Sequence, residues 1–346
     1  MRRQLNTVYV TTEGAWLHKD GENLVMQVEG SERARLPVHM LEGLVCFGRV
    51  LVSPPLMGFC AERGITISYL SANGRFLARV EGPVSGNVLL RRAQYRASDD
   101  PVACVGIVRH LLLGKLYNQR AVLSRALRDH GAKLSEGAQS TLKQTRQRLT
   151  RLADKLWHCE DLDVLRGVEG EAAQGYFAAF PHLLRVDDPA LQFSGRSRRP
   201  PRDPVNAVLS FLYTLLTHDC RSALESVGLD PAVGFLHRDR PGRASLALDL
   251  VEEFRPVLAD RLALSLFNRR QLTSKDFQVQ DHGGVLLRDE ARKTVLVAFQ
   301  ERKRESLLHA FMDEKAELGL FPAIQAQLLA RFLRGDLDAY PPFLWK

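Results

Sequence analysis

The sequence predicts an α+β protein with more than one domain, in which a sheet-rich N-terminal domain precedes a mainly helical domain with a minor β-hairpin. Short β-branched and aromatic runs, separated by glycines, fill residues 1–82. Apolar residues at helical spacing dominate residues 102–346. The chain has 346 residues, of which 45% are hydrophobic, so it can bury a sizeable core.

The N-terminal domain is predicted to consist of short strands interrupted by one helix. The helix begins at Pro54 and Pro55, because proline suits the first helical turn, and it ends at Gly64. Strand-like runs lie on both sides of it. They are residues 7–11, the segments around Trp16 and 24–26, and residues 35–38, 50–53, 65–70 and 76–80.

Residues 83–101 are predicted to be a linker that runs into the first helix of the second domain. Pro83, Gly86 and the acidic pair before Pro101 interrupt the pattern there. Apolar periodicity then predicts a series of helices, the last of them with a kink at Pro256. The helical segments are 108–116, 142–156, the strongly apolar 205–224, and 246–266.

A small hairpin is predicted within residues 277–299. Its signals are a strand-like run at 277–280, two glycines before 285–287, and a further run at 294–299. The segment 340–346 is too rich in proline to be helical. We expect its aromatic residues to fold back on the core, and docking of a partner is the alternative.

The charge of the chain favours an anionic partner. Net charge is +8, and the 48 basic residues include 10 lysines and therefore 38 arginines. Arginine binds phosphate bidentately, which lysine does not. A GC-rich genome can explain the arginine excess, but it does not explain the net charge.

Several protein classes are excluded. The five cysteines show no CxxC spacing, which argues against a zinc knuckle and fits a reducing compartment. The absence of GxxxxGK[ST] argues against P-loop ATP hydrolysis. No apolar segment follows Arg2 and Arg3, and the most apolar stretch, 205–217, is too short to span a bilayer. We expect a soluble cytoplasmic protein without membrane association.

Three distant stretches place ionisable residues among apolar neighbours. They contain Glu169, then His237, then Asp249 with Glu252. Such charges are costly unless something compensates them, and one divalent cation would compensate all three stretches. Carboxylates suit Mg²⁺ or Mn²⁺, and an imidazole favours Mn²⁺ or another transition metal. A metal site in a basic protein indicates chemistry on phosphodiesters.

Each of these residues also has a structural interpretation. Glu169, near the start of a helix, can be an acid that interacts with the helix dipole. A single histidine such as His237 is more often structural than a ligand. Asp249 and Glu252 share one helix face, which can be a solvated acidic edge.

An arginine-rich loop around residues 194–204 is a candidate for DNA binding, because its prolines exclude a helix and its arginines suit phosphate. The arginines are Arg196, Arg198, Arg199 and Arg202. A solvated linker is the alternative. Tyr213, in the central helix, is positioned either to stack on a base or to pack in the core, and core packing is the favoured interpretation.

Together these stretches resemble the CRISPR adaptation integrase family, the larger subunit of the complex that inserts spacers into CRISPR arrays. The variety that accompanies type I-C systems is the most similar. The resemblance covers nearly the whole chain and is carried by motifs in a fixed order. They are 166–170 with Ala172, Ala173, Tyr176 and Phe177; 198–201 with Asp203, Pro204 and Asn206; 228–231 leading into 234–237; and 248–250 with Glu252 and 254–256.

The resemblance implies an N-terminal β-sandwich, a C-terminal helical domain and a homodimer. It also implies a heterohexamer in which two such dimers hold a dimer of a small ferredoxin-like partner subunit. The implied metal ligands, for Mn²⁺ or Mg²⁺, are Glu169, His237 and Glu252, and Asp249 matches a further acid of the catalytic site. Some relatives have Asp in place of Glu252. Residues 277–299 match a hairpin that only some branches carry.

The resulting hypothesis is a metal-dependent DNA integrase and endonuclease. A 3′-hydroxyl of a prespacer duplex attacks the boundary of a CRISPR repeat by transesterification, and water in its place gives nuclease activity. Two alternatives stay open. One is a non-catalytic DNA-binding scaffold whose acids are structural, and the other is a metal nuclease without an integrase role.

Overall fold

The chain forms two compact units that divide between residues 85 and 86. The computed structural model describes residues 7–41, 43–72, 76–80, 82 and 88–345. The first unit is rich in strands and the second is mainly helical, so the predicted α+β class is confirmed. Residues 83–87 of the predicted linker lie outside the described residues.

In its described residues, the first unit contains two four-stranded sheets. Its elements are β1 (Thr7–Val10), β2 (Trp16–Asp20), β3 (Asn23–Val28), β4 (Ser31–Pro37), β5 (Gly43–Phe47), β6 (Leu51–Val52), α1 (Pro54–Glu62), β7 (Thr66–Leu70) and β8 (Phe76–Val80). One sheet has the order β1-β5-β7-β8 and the other β4-β3-β2-β6. Buried residues of both sheets and of α1, such as Leu17, Leu44 and Leu56, form one shared core.

Strand β5 was not predicted from the sequence. It pairs in parallel with both β1 and β7, and all five of its residues are buried. A strand buried on both faces lacks the alternation of apolar and polar residues that marks a half-exposed strand. Helix α1, in contrast, is confirmed, and the Ser53 hydroxyl accepts a hydrogen bond from the Leu56 amide at its start.

The second unit contains nine helices and two hairpins among its described residues. The helices are α2 (Val88–Asp99), α3 (Pro101–His130), α4 (Glu136–Trp157), α5 (Leu162–Ala179), α6 (Pro204–Ser226), α7 (Ser245–Phe254), α8 (Arg261–Asn268), α9 (Asp289–Lys303) and α10 (Phe321–Leu333). The antiparallel hairpins are β9 (Phe277–Val279) with β10 (Val285–Leu287), and β11 (Ser306–His309) with β12 (Glu314–Glu317).

Helix α2 occupies most of the predicted linker, so that part of the prediction is wrong. Asp100 caps α3 by accepting a hydrogen bond from the Val102 amide, and Pro101 occupies the first position of α3. The acidic pair and Pro101 therefore mark the boundary between α2 and α3, and the first helix of the unit begins earlier, at Val88.

The segment predicted as one kinked helix is divided into α7, a π-helical stretch over Arg255–Asp260, and α8. Pro256 has no amide hydrogen to donate, which explains why the regular helical pattern changes there. Residues 294–299, predicted as a strand, lie in α9. The acidic first turn of α9, with Asp289 and Glu290, favours a helix despite the β-branched residues that follow.

The aromatic segment after α10 folds back on the core, as expected. Tyr340, Phe343 and Trp345 are all buried. No helix in the described part of the chain is long and apolar enough to cross a membrane.

Candidate metal centre

Glu169 of α5 and Glu252 of α7 meet at one ammonium group, which belongs to Lys115 of α3. The Lys115 Nζ forms an ion pair with Glu169 Oε1 and lies 2.7 Å from Glu252 Oε2. Lys115 and Glu252 are 4% and 1% exposed. Two carboxylates from different helices therefore share one buried positive charge.

Glu252 is ionised in this environment. Burial raises its pKa, but Arg255, Lys115 and His237 together outweigh burial and lower the pKa to about 2. Arg255 Nη1 forms an ion pair with Glu252 Oε1. Glu252 Oε2 is buried and lies 2.7 Å from Lys115 Nζ, so each oxygen of this carboxylate is paired with a positive group.

His237 is oriented by Asp249. The Nδ1–H of His237 donates to Asp249 Oδ1 at 2.6 Å, and the His237 amide donates to the same oxygen at 3.0 Å. Asp249 Oδ2 accepts from the amides of Phe235 and Leu236 at 2.6 and 3.0 Å. With Nδ1–H directed at Asp249, the neutral form of the imidazole has its lone pair on Nε2, the form that a metal ligand requires.

The loop that carries His237 leaves no room for a side chain at Gly234. A Cβ there would lie 2.8 Å from Asp249 Oδ2 and 2.8 Å from the Ser245 backbone. Glycine at this position therefore permits the close approach between the loop and Asp249.

Helix α2 holds the same loop from the other side. The Nε2 of Gln94 donates to the carbonyls of Asp230 and Val233 at 2.8 and 2.9 Å, and its Oε1 accepts from the Asp230 amide at 2.9 Å. Arg166 of α5 donates to the Leu236 carbonyl at 2.9 Å. These bonds fix the loop relative to the helices that carry the acidic residues.

The structure thus brings Glu169 and Glu252 to one shared lysine and places His237 in contact with Asp249. Within the described ranges, no three His, Cys, Asp or Glu side chains are already grouped so as to hold a metal ion. Lys115, which separates the two glutamates, was missed by the sequence reasoning. Its signal was a lysine inside the apolar run 111–116.

Arg196 is a structural anchor of the arginine-rich loop, which argues against its predicted contact with DNA. Its Nη1 donates to Asn206 Oδ1 at 2.7 Å and its Nη2 to Ser210 Oγ at 3.1 Å. Asn206 also donates to the Gly195 carbonyl. The remaining predicted arginines, Arg198, Arg199 and Arg202, are exposed.

A second group of arginines lies beside the His237 loop. Burial lowers the pKa of Arg243, and the neighbouring guanidiniums of Arg240 and Arg199 act in the same direction. Arg238, also exposed, forms an ion pair with Asp163 at 2.9 Å. Positive charges from two loops therefore gather near the site.

Tyr213 packs inside the protein, as the favoured interpretation predicted. Its ring centroid lies 5.1 Å from the guanidinium of Arg196 and 4.9 Å from that of Arg255. Its hydroxyl donates to Asp260 Oδ1 at 2.6 Å. The ring and hydroxyl thus connect the arginine-rich loop with the residue that binds Glu252.

The stability of the protein is expected to depend on the ionisation of Asp260. Burial raises its pKa to about 6, although Tyr213, Arg255 and Arg196 act in the opposite direction. Because the pKa is higher in the folded state, the stabilisation is complete below about pH 4 and is lost as the pH rises through about 6. The loss at neutral pH amounts to about 3 kcal/mol.

Asp260→Asn should remove this loss, because asparagine stays neutral. Relative to the wild type, its free energy of unfolding should rise by about 3 kcal/mol between pH 4 and pH 7, measured by urea unfolding. Asp239→Asn, at an exposed aspartate, is the control and should follow the wild type. Parallel pH curves for Asp260→Asn and the wild type would contradict the prediction.

Comparison with known proteins decides the family. The model of the family described as CRISPR associated protein Cas1 matches residues 8–301. The chain belongs to the Cas1 family. It is 63% identical to a protein of Rhodospirillum rubrum named CRISPR-associated endonuclease Cas1 2, and the match covers 100% of both chains.

Solved structures show the same fold. A chain in a structure titled Cas6-RT-Cas1–Cas2 complex matches with a TM-score of 0.82 at 24% identity, over 100% of this chain and 36% of that one. A casposase bound to integration product matches with a TM-score of 0.83 at 22% identity, over 99% and 95%. The Cas1 fold thus also occurs in a protein solved with an integration product.

Proposed function

We propose that the chain is a metal-dependent DNA endonuclease and integrase that inserts foreign DNA fragments into a CRISPR array by transesterification. The observation that carries the proposal is the pair of carboxylates, Glu169 and Glu252, on one buried ammonium, next to a histidine oriented by Asp249. The endonuclease name of a relative that matches over its full length supports it.

The donor set fits a divalent cation. Glu169, Glu252 and the Nε2 of His237 would hold the ion, with Asp249 orienting the imidazole. Lys115 already places a positive charge between the two carboxylates, so this position accommodates a cation. The chemistry that Mn²⁺ or Mg²⁺ supplies when bound is polarisation of the phosphodiester and stabilisation of the charge that develops on it.

The protein side chains orient the site and neutralise charge. Arg255 holds Glu252 in its ionised form, and Asp249 keeps the proton of His237 on Nδ1. The Lys115 ammonium, which pairs with both carboxylates, would offset the negative charge of a bound phosphate. Lys115 is therefore proposed to be a catalytic residue in addition to those predicted from the sequence.

The reaction exchanges one phosphodiester for another. The 3′-hydroxyl oxygen of the fragment forms a bond to the phosphorus at the repeat boundary. The bond from that phosphorus to its original 3′-oxygen breaks, and the proton passes to the leaving oxygen. Because the number of phosphodiester bonds is unchanged, the reaction needs no nucleotide hydrolysis, which agrees with the absence of a P-loop sequence.

The DNA backbone is proposed to lie along the arginines near the His237 loop. Arg199, Arg240 and Arg243 gather there and can bind phosphates without reading sequence. Arg198 and Arg202, exposed on the same loop as Arg199, are proposed to extend this surface. Prespacer duplex and CRISPR repeat are the proposed substrates.

The assembly and setting follow from the same family resemblance. We propose a homodimer, two of which hold a dimer of a small ferredoxin-like subunit in a cytoplasmic heterohexamer. The Cas1–Cas2 complex title of a solved structure with this fold supports the partner. The motifs additionally favour the type I-C variety.

The test is the product spectrum of the wild-type protein with a labelled prespacer duplex, a repeat-containing duplex, the small partner subunit, and Mn²⁺ or EDTA. An integrase gives joined strands with Mn²⁺ only. A metal nuclease without an integrase role gives only cleaved strands. A non-catalytic scaffold gives salt-sensitive binding and no new products in either case.

A further inference from the structure

The tail, residues 340–345, packs against the helices that carry the metal site. Tyr340, Phe343 and Trp345 are 0%, 1% and 5% exposed. The ring of Phe343 stacks on that of Phe254, the last residue of α7, with a centroid distance of 5.3 Å. The proposed reaction does not use this segment, so its close contact with the site needs another explanation.

Glu253, the residue after Glu252, binds the tail. Its Oε1 accepts from the Tyr340 hydroxyl at 2.7 Å, and its Oε2 accepts from the Phe343 amide at 2.7 Å and from Gln325 Nε2 at 3.0 Å. Glu253 is 0% exposed. A buried carboxyl group destabilises the fold unless polar contacts compensate it, and here the tail supplies two of the three donors.

Asn118, one turn after Lys115 on α3, binds both α7 and the tail. Its Nδ2 donates to the carbonyls of Glu253 and Phe343 at 2.8 and 2.9 Å, and its Oδ1 accepts from the Trp345 amide at 2.8 Å. Asn118 is also 0% exposed. One buried amide therefore connects the helix of Lys115, the helix of Glu252 and the tail.

The end of α7 needs such support because the regular helix stops there. The π-helical stretch begins at Arg255, directly after α7, and Pro256 cannot donate a helical hydrogen bond. The packing is also tight on the α3 side. A Cβ added at Gly114 would lie 3.0 Å from Pro342 Cβ and 3.2 Å from Glu253 Cγ.

We propose that the tail is a positioning element of the metal site, which fixes the end of α7 against α3 so that Glu252 and Lys115 face each other. The proposal rests on the proposed function in that the positioned residues serve metal binding. Asn118 and Tyr340 are its positioning residues. Neither contacts the carboxylates of Glu169 or Glu252 in the bonds described above.

The experiment measures Mn²⁺ affinity by calorimetry, and hydrogen exchange over residues 246–254 without metal, in the full-length protein. Asn118→Ala should weaken Mn²⁺ binding by about 10-fold or more and speed exchange in α7. Tyr340→Phe removes only a hydroxyl, so it should fold and should shift both readouts in the same direction by less. Gln119→Ala is the matched control, because Gln119 is a buried amide on α3 whose Oε1 makes no hydrogen bond.

Weaker Mn²⁺ binding and faster exchange in Asn118→Ala and Tyr340→Phe, but not in Gln119→Ala, would support the proposal. Unchanged Mn²⁺ affinity in both variants would overturn it, even if both unfold at a lower temperature. A wild-type protein that binds no Mn²⁺ would overturn the metal site itself. The exchange measurement, made without metal, would then still report whether the tail fixes α7.

Discussion

Glu169→Ala and His237→Ala should each lower Mn²⁺-dependent strand joining by about 100-fold or more. Glu169→Ala removes one of the two carboxylates on Lys115, and His237→Ala removes the imidazole that Asp249 orients. Both changes remove a proposed metal ligand while leaving the arginines of the proposed DNA surface in place. Joining is measured on a labelled prespacer duplex, and DNA binding is measured separately in EDTA.

The controls for this prediction replace a glutamate and a histidine that lie outside the proposed site. Glu171→Ala removes an acid of the same helix that forms an ion pair with Arg148, and His158→Ala removes an exposed histidine. Both should join strands within about twofold of the wild type, as surface substitutions usually perturb little. Undiminished joining by Glu169→Ala or His237→Ala would reject the ligand assignment, provided that the wild type joins strands.

Lys115→Met should make the stability of the protein depend on a divalent cation. Without metal, the variant leaves Glu169 and Glu252 without their shared positive charge, at a cost of about 3 kcal/mol. This is the low end for a broken buried pair, because Arg255 still binds Glu252. Mn²⁺ at about 100 times its Kd should restore about 2.7 kcal/mol by binding only the folded state.

The measurement is urea unfolding of wild type and variant, each with EDTA and with Mn²⁺. Lys303→Met is the matched control, because Lys303 is equally buried and forms an ion pair with Asp219 at 2.8 Å away from the proposed ligands. It should lose stability in EDTA and gain from Mn²⁺ only as much as the wild type gains, because in both proteins Lys115 still competes with the ion. We propose that the Lys115 ammonium takes the place of the metal ion between the two carboxylates. This is contradicted if Lys115→Met is as stable as the wild type in EDTA. It is also contradicted if Mn²⁺ stabilises Lys115→Met no more than it stabilises Lys303→Met.

The sequence was most informative where a residue contradicts its surroundings. Glu169, His237, Asp249 and Glu252 stood out as ionisable groups in apolar stretches. The structure places the two glutamates on one lysine and pairs His237 with Asp249. Lys115 is also an ionisable residue in an apolar stretch, but a positively charged side chain is not a metal ligand, so a search for metal ligands passes over it. The helical pattern itself is local, which explains why the long helices were predicted with the correct type.

What the sequence could not predict depends on contacts between distant segments. Strand β5 is identified as a strand by its neighbours β1 and β7, and not by any alternation of its own. Arg196 lies in an arginine-rich loop of the kind that binds DNA, but its guanidinium donates hydrogen bonds to Asn206 and Ser210 of the protein itself. Tyr340 and Glu253 are 87 residues apart, and no local rule relates them.

The hydrogen bonds of Gln94 affect how the protein can be dissected. A fragment designed from the sequence alone would begin at residue 102 and would lack α2 entirely. Such a truncation would remove the three hydrogen bonds that Gln94 makes with residues 230–233, just ahead of His237. A truncation that begins at residue 86 keeps them, so it is the appropriate boundary for expressing the helical unit alone.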